Sequence, residues 1–213
     1  MSEEKNQLTT AFVELDERQV SQLISTALTA GAPPASIIED MRSGMIEIGK
    51  RFAGGHYFLT ELIMAADIFA RAMSQIEPHL GGASASRAGD IVFATVQGDM
   101  HDIGKNIVVA LLRAADFRVY DLGVDVSPDR IVKKLEESGA HLLGLSALLT
   151  TSFISMKETV EALKQAGIRD EVRVMIGGGP VDERVLRYVG ADAFGRNPQD
   201  AIVIARQLMG LEV

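Results

Sequence analysis

The stretch Gly98-Asp99-Met100-His101-Asp102-Ile103-Gly104-Lys105-Asn106 decides how this chain is interpreted. It follows an apolar run, Ile91–Val96, that predicts a buried strand. It precedes a second apolar run, Ile107–Leu112, that predicts the body of a helix. His101 is therefore expected on a loop at the carboxyl end of a strand, which is where open α/β sheets bind ligands.

Two neighbours of the histidine support a binding role. Asp99 stands two residues earlier and is placed to orient the ring, and Gly104 lets a bulky group approach the backbone. The simpler interpretation is an ordinary strand-to-helix turn, in which Asp99 or Asp102 caps the helix and His101 is merely exposed.

The pattern around this stretch predicts an α/β domain over residues 88–213. Strands are expected near 90–97, 117–121, 142–147, 172–177 and 191–194. Helices are expected near 104–115, 127–138, 152–166, 181–188 and 198–208. Five strands that alternate with helices predict a five-stranded parallel sheet with a flavodoxin-like or Rossmann-like arrangement.

Residues 1–83 carry only helical periodicity. Apolar residues recur at helical spacing in three segments, which with the amino-terminal segment predicts three or four helices in a small bundle. The Gly- and Ser-rich stretch 81–86 is typical of a flexible linker to the α/β domain. The expected fold is thus α + α/β, with a helical domain first.

Composition narrows the classes of function. The formal net charge of −8, from 29 acidic and 21 basic residues, disfavours nucleic acid and anionic membranes as partners. The chain has no cysteine, which excludes disulfides, thiolate metal sites and a thiol nucleophile. The start of the chain has no signal-peptide core, and no apolar run approaches the length of a membrane span, so a cytoplasmic protein is expected.

Two further loops fall at the same predicted sheet edge. Gly144–Ser152 follows the third strand and is rich in small hydroxyl residues, which taken alone indicates no more than a helix cap. Ile176–Pro180 follows the fourth strand and contains three consecutive glycines, which suit a tight turn or a phosphate-binding nest.

The Asp-x-His-x-x-Gly pattern of the first loop resembles the signature of cobalamin-binding domains. The whole chain is similar to the corrinoid carriers of methyltransferase systems and to the cap and cobalamin-binding domains of methionine synthase. The resemblance implies that His101 is the lower axial ligand of cobalt, that its other ring nitrogen donates to Asp99, and that Ser152 hydrogen-bonds Asp99. It also implies a cobalamin or related corrinoid that cycles between methylcobalamin and cob(I)alamin.

The resemblance assigns cofactor contacts to the three loops and to the helical cap. In the loops the implied residues are Asp99, Met100, His101, Asp102, Ile103, Gly104, Ser146, Leu148, Thr150, Ser152, Gly177, Gly178 and Gly179. In the cap, Phe58 and Leu62 would cover the upper face of the corrin. His56 and Thr60 depart from the usual cap pattern, where an acid and a proline are common.

The implied function is a methyl carrier that is not an enzyme by itself. Its partners would be a substrate:corrinoid methyltransferase, a methylcorrinoid:acceptor methyltransferase and a reductive activase, within one-carbon metabolism. Methanol, methylamines, methoxylated aromatics and glycine betaine are all compatible methyl sources.

Three alternatives stay open at this point. One is a subunit of an adenosylcobalamin isomerase, against which the attached cap counts. Another is a cobalamin-dependent sensor or regulator, which would need a DNA-binding segment that the chain lacks room for. The third is a flavodoxin-like nucleotide or phosphate domain without cobalt.

Overall fold

The structure, a computed structural model, describes residues 2–79 and 88–212, with side chains from residue 7 onward. The chain divides into two compact units, Met1–Ala85 and Ser86–Val213. The predicted linker at 81–86 lies outside the described residues.

The described part of the first unit is helical, as predicted. Its α-helices are α1 (Ser2–Val13), α2 (Glu17–Thr29), α3 (Pro34–Ala53) and α4 (Leu59–Ile76), and a single 3₁₀ turn follows at Glu77–His79. α3 begins at a proline, whose missing N–H has no partner in the first turn of a helix in any case. The prediction of three or four helices is confirmed.

α1 packs mainly on α3, and α4 packs on α3 and α2, so α1, α2, α3 and α4 together form the core of the helical unit. The ring of Phe12 lies 6.2 Å from the ring of Phe69, centroid to centroid. A Cβ atom on Gly44 would lie 2.7 Å from Cδ1 of Phe12, so glycine allows α3 to approach that ring. Tyr57 donates a hydrogen bond of 2.6 Å from its hydroxyl to the carbonyl of Val13, which ties the α3–α4 loop to the end of α1.

The second unit alternates strands with helices, and every boundary lies within two residues of its prediction. The strands are β1 (Gly89–Thr95), β2 (Phe117–Asp121), β3 (Leu142–Ser146), β4 (Arg173–Gly177) and β5 (Ala193–Gly195). The helices are α5 (Ile103–Ala114), α6 (Pro128–Ser138), α7 (Phe153–Gln165), α8 (Glu183–Val189) and α9 (Asp200–Leu208). The five strands form one parallel sheet in the order β2-β1-β3-β4-β5.

Central strands of this sheet are buried on both faces, which explains their continuous apolar sequences. Along β1, Val92 and Ala94 join the core layer that packs on α6, α7 and α8. Ile91 and Phe93 point to the opposite layer, which contains side chains of α5 and α9. The alternation follows from the two-residue period of a strand.

Strand order places a binding crevice at the carboxyl ends of β1 and β3. The connection from β1 leads through α5 to β2 on one side, whereas β3 pairs with β1 on the other. Open α/β sheets bind ligands where the strand order reverses in this way. Thr95 of β1 is in register with Ser146 of β3, so the loops that follow them lie side by side. Among the described residues, no helix combines the length and the apolar composition that crossing a membrane requires.

Candidate functional site

His101 lies in the loop between β1 and α5, as predicted. Its backbone carbonyl accepts a hydrogen bond of 2.9 Å from the hydroxyl of Thr95, which is fully buried at the end of β1. Its side chain is 51% exposed, and its Nδ1 atom lies 2.7 Å from Oδ1 of Asp99. The loop therefore presents the imidazole at the sheet edge with one ring nitrogen already engaged.

Asp99 is the buried anchor of the site. Its side chain is 0% exposed, and Oδ1 accepts from both the backbone N–H and the ring of His101, at 3.0 and 2.7 Å. Oδ2 accepts from the backbone N–H groups of Leu148 and Leu149, at 2.7 and 2.9 Å. Burial alone would raise the pKa of this carboxyl, but the hydrogen bonds from Leu149, His101 and Leu148 outweigh it and lower the pKa to about 2.

An ionised Asp99 fixes the tautomer of His101. A carboxylate only accepts hydrogen bonds, so the proton of the neutral imidazole lies on Nδ1. The Nε2 atom then carries the free lone pair on the side of the ring away from the carboxylate. A histidine held in this way by a carboxylate is the usual form of a metal-ligating imidazole.

The loop after β3 supports the site through its backbone rather than through its hydroxyl groups. The resemblance implied that Ser152 would donate to Asp99, but the backbone N–H groups of Leu148 and Leu149 occupy the second carboxylate oxygen instead. Ser152 is buried at the start of α7, and its own N–H donates to the carbonyl of Leu149. The expected hydrogen bond from Ser152 is therefore not among those that the Asp99 carboxylate accepts in the described part of the chain. Ser146 ends β3, and Thr150 is exposed in the 3₁₀ turn that follows.

The third loop approaches the second one closely, and glycine makes this possible. Gly178 has φ +136°, and a Cβ atom there would lie 1.8 Å from the carbonyl oxygen of Ala147. The N–H of Ala147 donates to the carbonyl of Gly177 at 3.1 Å. Gly177 and Gly179 complete the predicted triplet, and a Cβ atom on Gly177 would meet no atom within 4 Å.

A groove of about 450 Å³ adjoins this third loop on the side of β5. Gly178 and Gly179 form part of its wall. Its cationic lining residues are Arg184, Arg187 and Arg196. The open backbone of the glycine loop therefore borders a wide groove at the same edge of the sheet as His101.

The loop after β2 forms hydrogen bonds to the histidine loop. The sequence did not predict this contact. Asp125 accepts a hydrogen bond of 2.8 Å from the N–H of Gly98, and its own N–H donates to the carbonyl of Asp99 at 3.0 Å. Val126 forms a parallel bridge with Val96. The one feature of the sequence that could have indicated this contact is an acidic residue, Asp125, in the loop that follows the strand β2.

An ion pair between a buried lysine and a partly exposed aspartate lies one helical turn beyond the histidine. The ammonium of Lys105 is 2.5 Å from Oδ2 of Asp121, at the end of β2, and 2.7 Å from Oδ1 of Asn106. Asn106 in turn donates to the carboxylate of Asp102 at 3.1 Å. Asp102 is the N-cap residue of α5, but its side chain makes no capping bond, so the simpler cap interpretation does not describe it.

Large apolar side chains are exposed around the imidazole. Met100 and Ile103 flank His101 in the first loop, and Leu148 and Leu149 follow β3; all four are more than 40% exposed. Gly104 adds bare backbone, since a Cβ atom there would meet nothing within 4 Å. Scattered apolar side chains are common on protein surfaces, but several of them grouped at one site often mark a place where a ligand or partner binds. A broad, largely apolar ring with a metal at its centre fits this arrangement of one free imidazole nitrogen inside an apolar rim.

The two predicted cap residues differ in exposure. Phe58 is 69% exposed and stands at the N-cap position of α4, where its N–H donates to the carboxylate of Glu61 at 2.8 Å. Leu62 is 1% exposed and packs in the core of the helical unit. Of the pair, Phe58 alone presents its side chain at the surface of that unit.

Comparison with known proteins matches both units to one family. A family model described as "B12 binding domain" matches residues 89–203, which span the sheet and the three loops. A second model with the same description matches residues 4–77 in the helical unit.

Individual relatives match along almost the whole chain. The "Dimethylamine corrinoid protein" of Methanosarcina barkeri is 36% identical and covers 98% of this chain and 100% of its own length. A crystal structure of a cobalamin-binding protein from Desulfitobacterium hafniense DCB-2 is 39% identical, with a TM-score of 0.71, and covers 96% of this chain and 98% of its own. The methanol:cobalamin methyltransferase complex MtaBC from Methanosarcina barkeri contains a chain that is 30% identical, with a TM-score of 0.84, and covers 98% of this chain and 80% of its own.

Proposed function

Because the chain belongs to the B12-binding family in both of its units, we propose that it is a corrinoid-binding methyl carrier with His101 as the protein ligand to cobalt. The observation that carries the proposal is the Asp99–His101 pair, which turns a free imidazole nitrogen outward from an apolar rim. A bound corrinoid supplies a cobalt ion that can take up a methyl group from one substrate and give it to another.

The protein contributes orientation and basicity. Asp99 accepts a hydrogen bond from the N–H at Nδ1, so the lone pair of the neutral imidazole lies on Nε2, and the carboxylate partner makes that nitrogen a better electron donor to a metal. The backbone N–H groups of Leu148 and Leu149 stabilise the charge of Asp99, so the carboxylate stays ionised while it is buried. The pair is therefore preorganised in the apoprotein.

The cofactor contacts in the α/β unit follow from the three loops. The first loop would contact the lower face of the ring around His101, and the other two would hold the rest of the corrinoid. The proposed contact residues are Asp99, Met100, His101, Asp102, Ile103, Gly104, Ser146, Leu148, Thr150, Ser152, Gly177, Gly178 and Gly179. In the helical unit, the exposed ring of Phe58 is proposed as part of the cap, with Leu62 supporting it from the core.

Methyltransferases are the proposed partners. The names of the relatives support this, since one matching structure is a methanol:cobalamin methyltransferase complex and several curated relatives are dimethylamine corrinoid proteins. We propose that one partner loads the methyl group and a second removes it, and that a reductive activase restores the inactive cofactor. A role as carrier rather than as a free-standing enzyme and a cytoplasmic location belong to the same proposal.

Methyl loading by a panel of purified methyltransferases tests this function. The protein is reconstituted with cobalamin, reduced with titanium(III) citrate and mixed with methyltransferases specific for dimethylamine, methanol and related donors, each together with its methylated substrate. Absorption spectra should show methylation of the bound cofactor with at least one of them, and slower methylation in His101→Ala. The proposal is wrong if the same enzymes methylate free cobalamin but never the protein-bound form.

A further inference from the structure

Asp125 forms two hydrogen bonds to the histidine loop, one on each side of the peptide bond between Gly98 and Asp99. Its Oδ1 atom accepts from the N–H of Gly98 at 2.8 Å, and its N–H donates to the carbonyl of Asp99 at 3.0 Å. The side chain and the backbone of a single residue thus engage both sides of the Gly98–Asp99 segment. No other described residue of the β2–α6 loop bonds to these two positions.

The backbone of Asp125 is held in an uncommon conformation to make this contact. Its φ is +52°, in the left-handed region that most residues with a side chain avoid and that aspartate tolerates better than most. The next residue, Val126, bridges to Val96 and donates to the carbonyl of Thr95, which fixes the loop against the end of β1. Left-handed residues of this kind are often retained where a site requires a particular loop geometry.

The bonds from Asp125 act on the residue that orients the imidazole. Asp99 is tied to Asp125 through its carbonyl and to His101, Leu148 and Leu149 through its carboxylate. A shift of the Gly98–Asp99 peptide would move that carboxylate away from three backbone donors and one ring at once. The position of Asp125 is therefore coupled to the position of His101.

We propose that Asp125 is a positioning residue of the site, which holds the Asp99–His101 pair in place by bonding to both sides of the Gly98–Asp99 segment. The effect of Asp125 on corrinoid binding rests on the proposed function. Its effect on the position of Asp99 concerns the protein alone and can be measured without a ligand. It adds the β2–α6 loop to the three loops that build the site.

Three variants separate this role from backbone strain. Asp125→Gly removes the carboxylate and accommodates the left-handed conformation without steric cost. Asp125→Asn keeps an oxygen acceptor for the Gly98 N–H and also tolerates this conformation. Asp116→Gly is the matched control. Asp116 also has a positive φ, of +73°, but it lies just before β2, at the amino-terminal ends of the strands and away from the site.

Amide hydrogen exchange in the apoprotein gives the first measurement. The N–H groups of His101, Leu148 and Leu149 all donate to the Asp99 carboxylate and so report on its position. Asp125→Gly should reduce their protection by about fivefold, the equivalent of one ordinary hydrogen bond. Asp125→Asn and Asp116→Gly should leave it close to wild type. Unchanged protection in Asp125→Gly, or an equal loss in Asp116→Gly, would overturn the proposal.

Cobalamin binding gives the second measurement. Asp125→Gly should weaken binding by about tenfold and decrease the histidine-ligated fraction in the absorption spectrum, as the loss of an outer support of a metal ligand does. Asp125→Asn should restore both. Binding and spectrum identical to wild type in Asp125→Gly would count against the positioning role. If the wild-type protein itself retains no corrinoid, the proposed function fails, while the exchange data still decide whether Asp125 positions Asp99.

Discussion

The Nδ1 atom of His101 lies 2.7 Å from Oδ1 of Asp99, whose other oxygen accepts two backbone N–H groups from the loop after β3. A single buried carboxylate therefore joins the loops that follow β1 and β3, the two strands at the reversal of strand order. The imidazole is oriented by the fold itself, before any ligand binds.

Acid should weaken the apoprotein through Asp99. Its pKa is about 2 in the folded protein and 3.8 for the free side chain, so its contribution to stability is complete above about pH 4 and is lost as the pH falls toward 2. The full contribution is about 2 kcal/mol, of which roughly half should be gone at pH 3. Urea unfolding of wild type and Asp99→Asn between about pH 6 and pH 3 measures it. The difference in unfolding free energy should shrink over this range, and a constant difference would contradict the assignment.

Gly178→Ala should destabilise the apoprotein by about 2–3 kcal/mol. Its φ of +136° is strained for any side chain, and the new Cβ would overlap the carbonyl oxygen of Ala147, a backbone atom that cannot rotate away. Gly177→Ala is the neighbouring control, since its Cβ meets no atom within 4 Å and its φ is not positive. Urea denaturation should separate the two, and equal midpoints would show that the loops do not approach as closely as described.

Gly104→Ala should have opposite effects on folding and on ligand binding. The added methyl group meets nothing within 4 Å in the apoprotein and reduces the entropy of the unfolded chain, so stability should rise by about 0.5 kcal/mol. The same methyl group occupies the space next to His101 where the ring is proposed to lie, so cobalamin affinity should fall. Thermal unfolding without ligand and equilibrium binding of cobalamin test the two halves. An unchanged affinity would place the ring elsewhere.

Lys105→Met should cost about 1–2 kcal/mol of stability, because it removes the charge-assisted hydrogen bond that the ammonium donates to the carboxylate of Asp121. The value lies at the low end for such bonds, since the side chain of Asp121 is 23% exposed and retains contact with water. Lys164→Met removes a surface ion pair with Glu161 and serves as the control, with an expected change below about 0.5 kcal/mol. Equal unfolding free energies for the two variants would show that Lys105 is not buried in solution.

The sheet was predictable because its central strands are short segments composed mostly of apolar residues. Ile91–Val96 and Leu142–Leu145 are short, mostly apolar runs that alternate with segments of helical periodicity, and this pattern predicts strands that are buried on both faces. The histidine loop was predictable for a related reason, since topology alone brings the carboxyl end of β1 to the crevice.

The supports of the site could not be predicted, because they depend on backbone conformation. The family resemblance implied that Ser152 would hold Asp99, but the loop after β3 turns so that two leucine N–H groups donate to the carboxylate instead. Asp125 reaches the histidine loop because its backbone adopts a left-handed conformation, which the residue pattern does not predict. The pairing of Lys105 with Asp121 joins residues 16 apart and requires the α5–β2 geometry to be known.

Electron paramagnetic resonance of the cob(II)alamin form, bound to protein labelled with nitrogen-15, tests the central claim most directly. The axial nitrogen splits the cobalt signal into doublets if it is nitrogen-15 from the protein and into triplets if it is nitrogen-14 from the cofactor's own base. Ligation by His101 predicts doublets that are lost in His101→Ala. Triplets in the labelled wild-type protein would contradict the account, because they would show that the cofactor keeps its own base on cobalt.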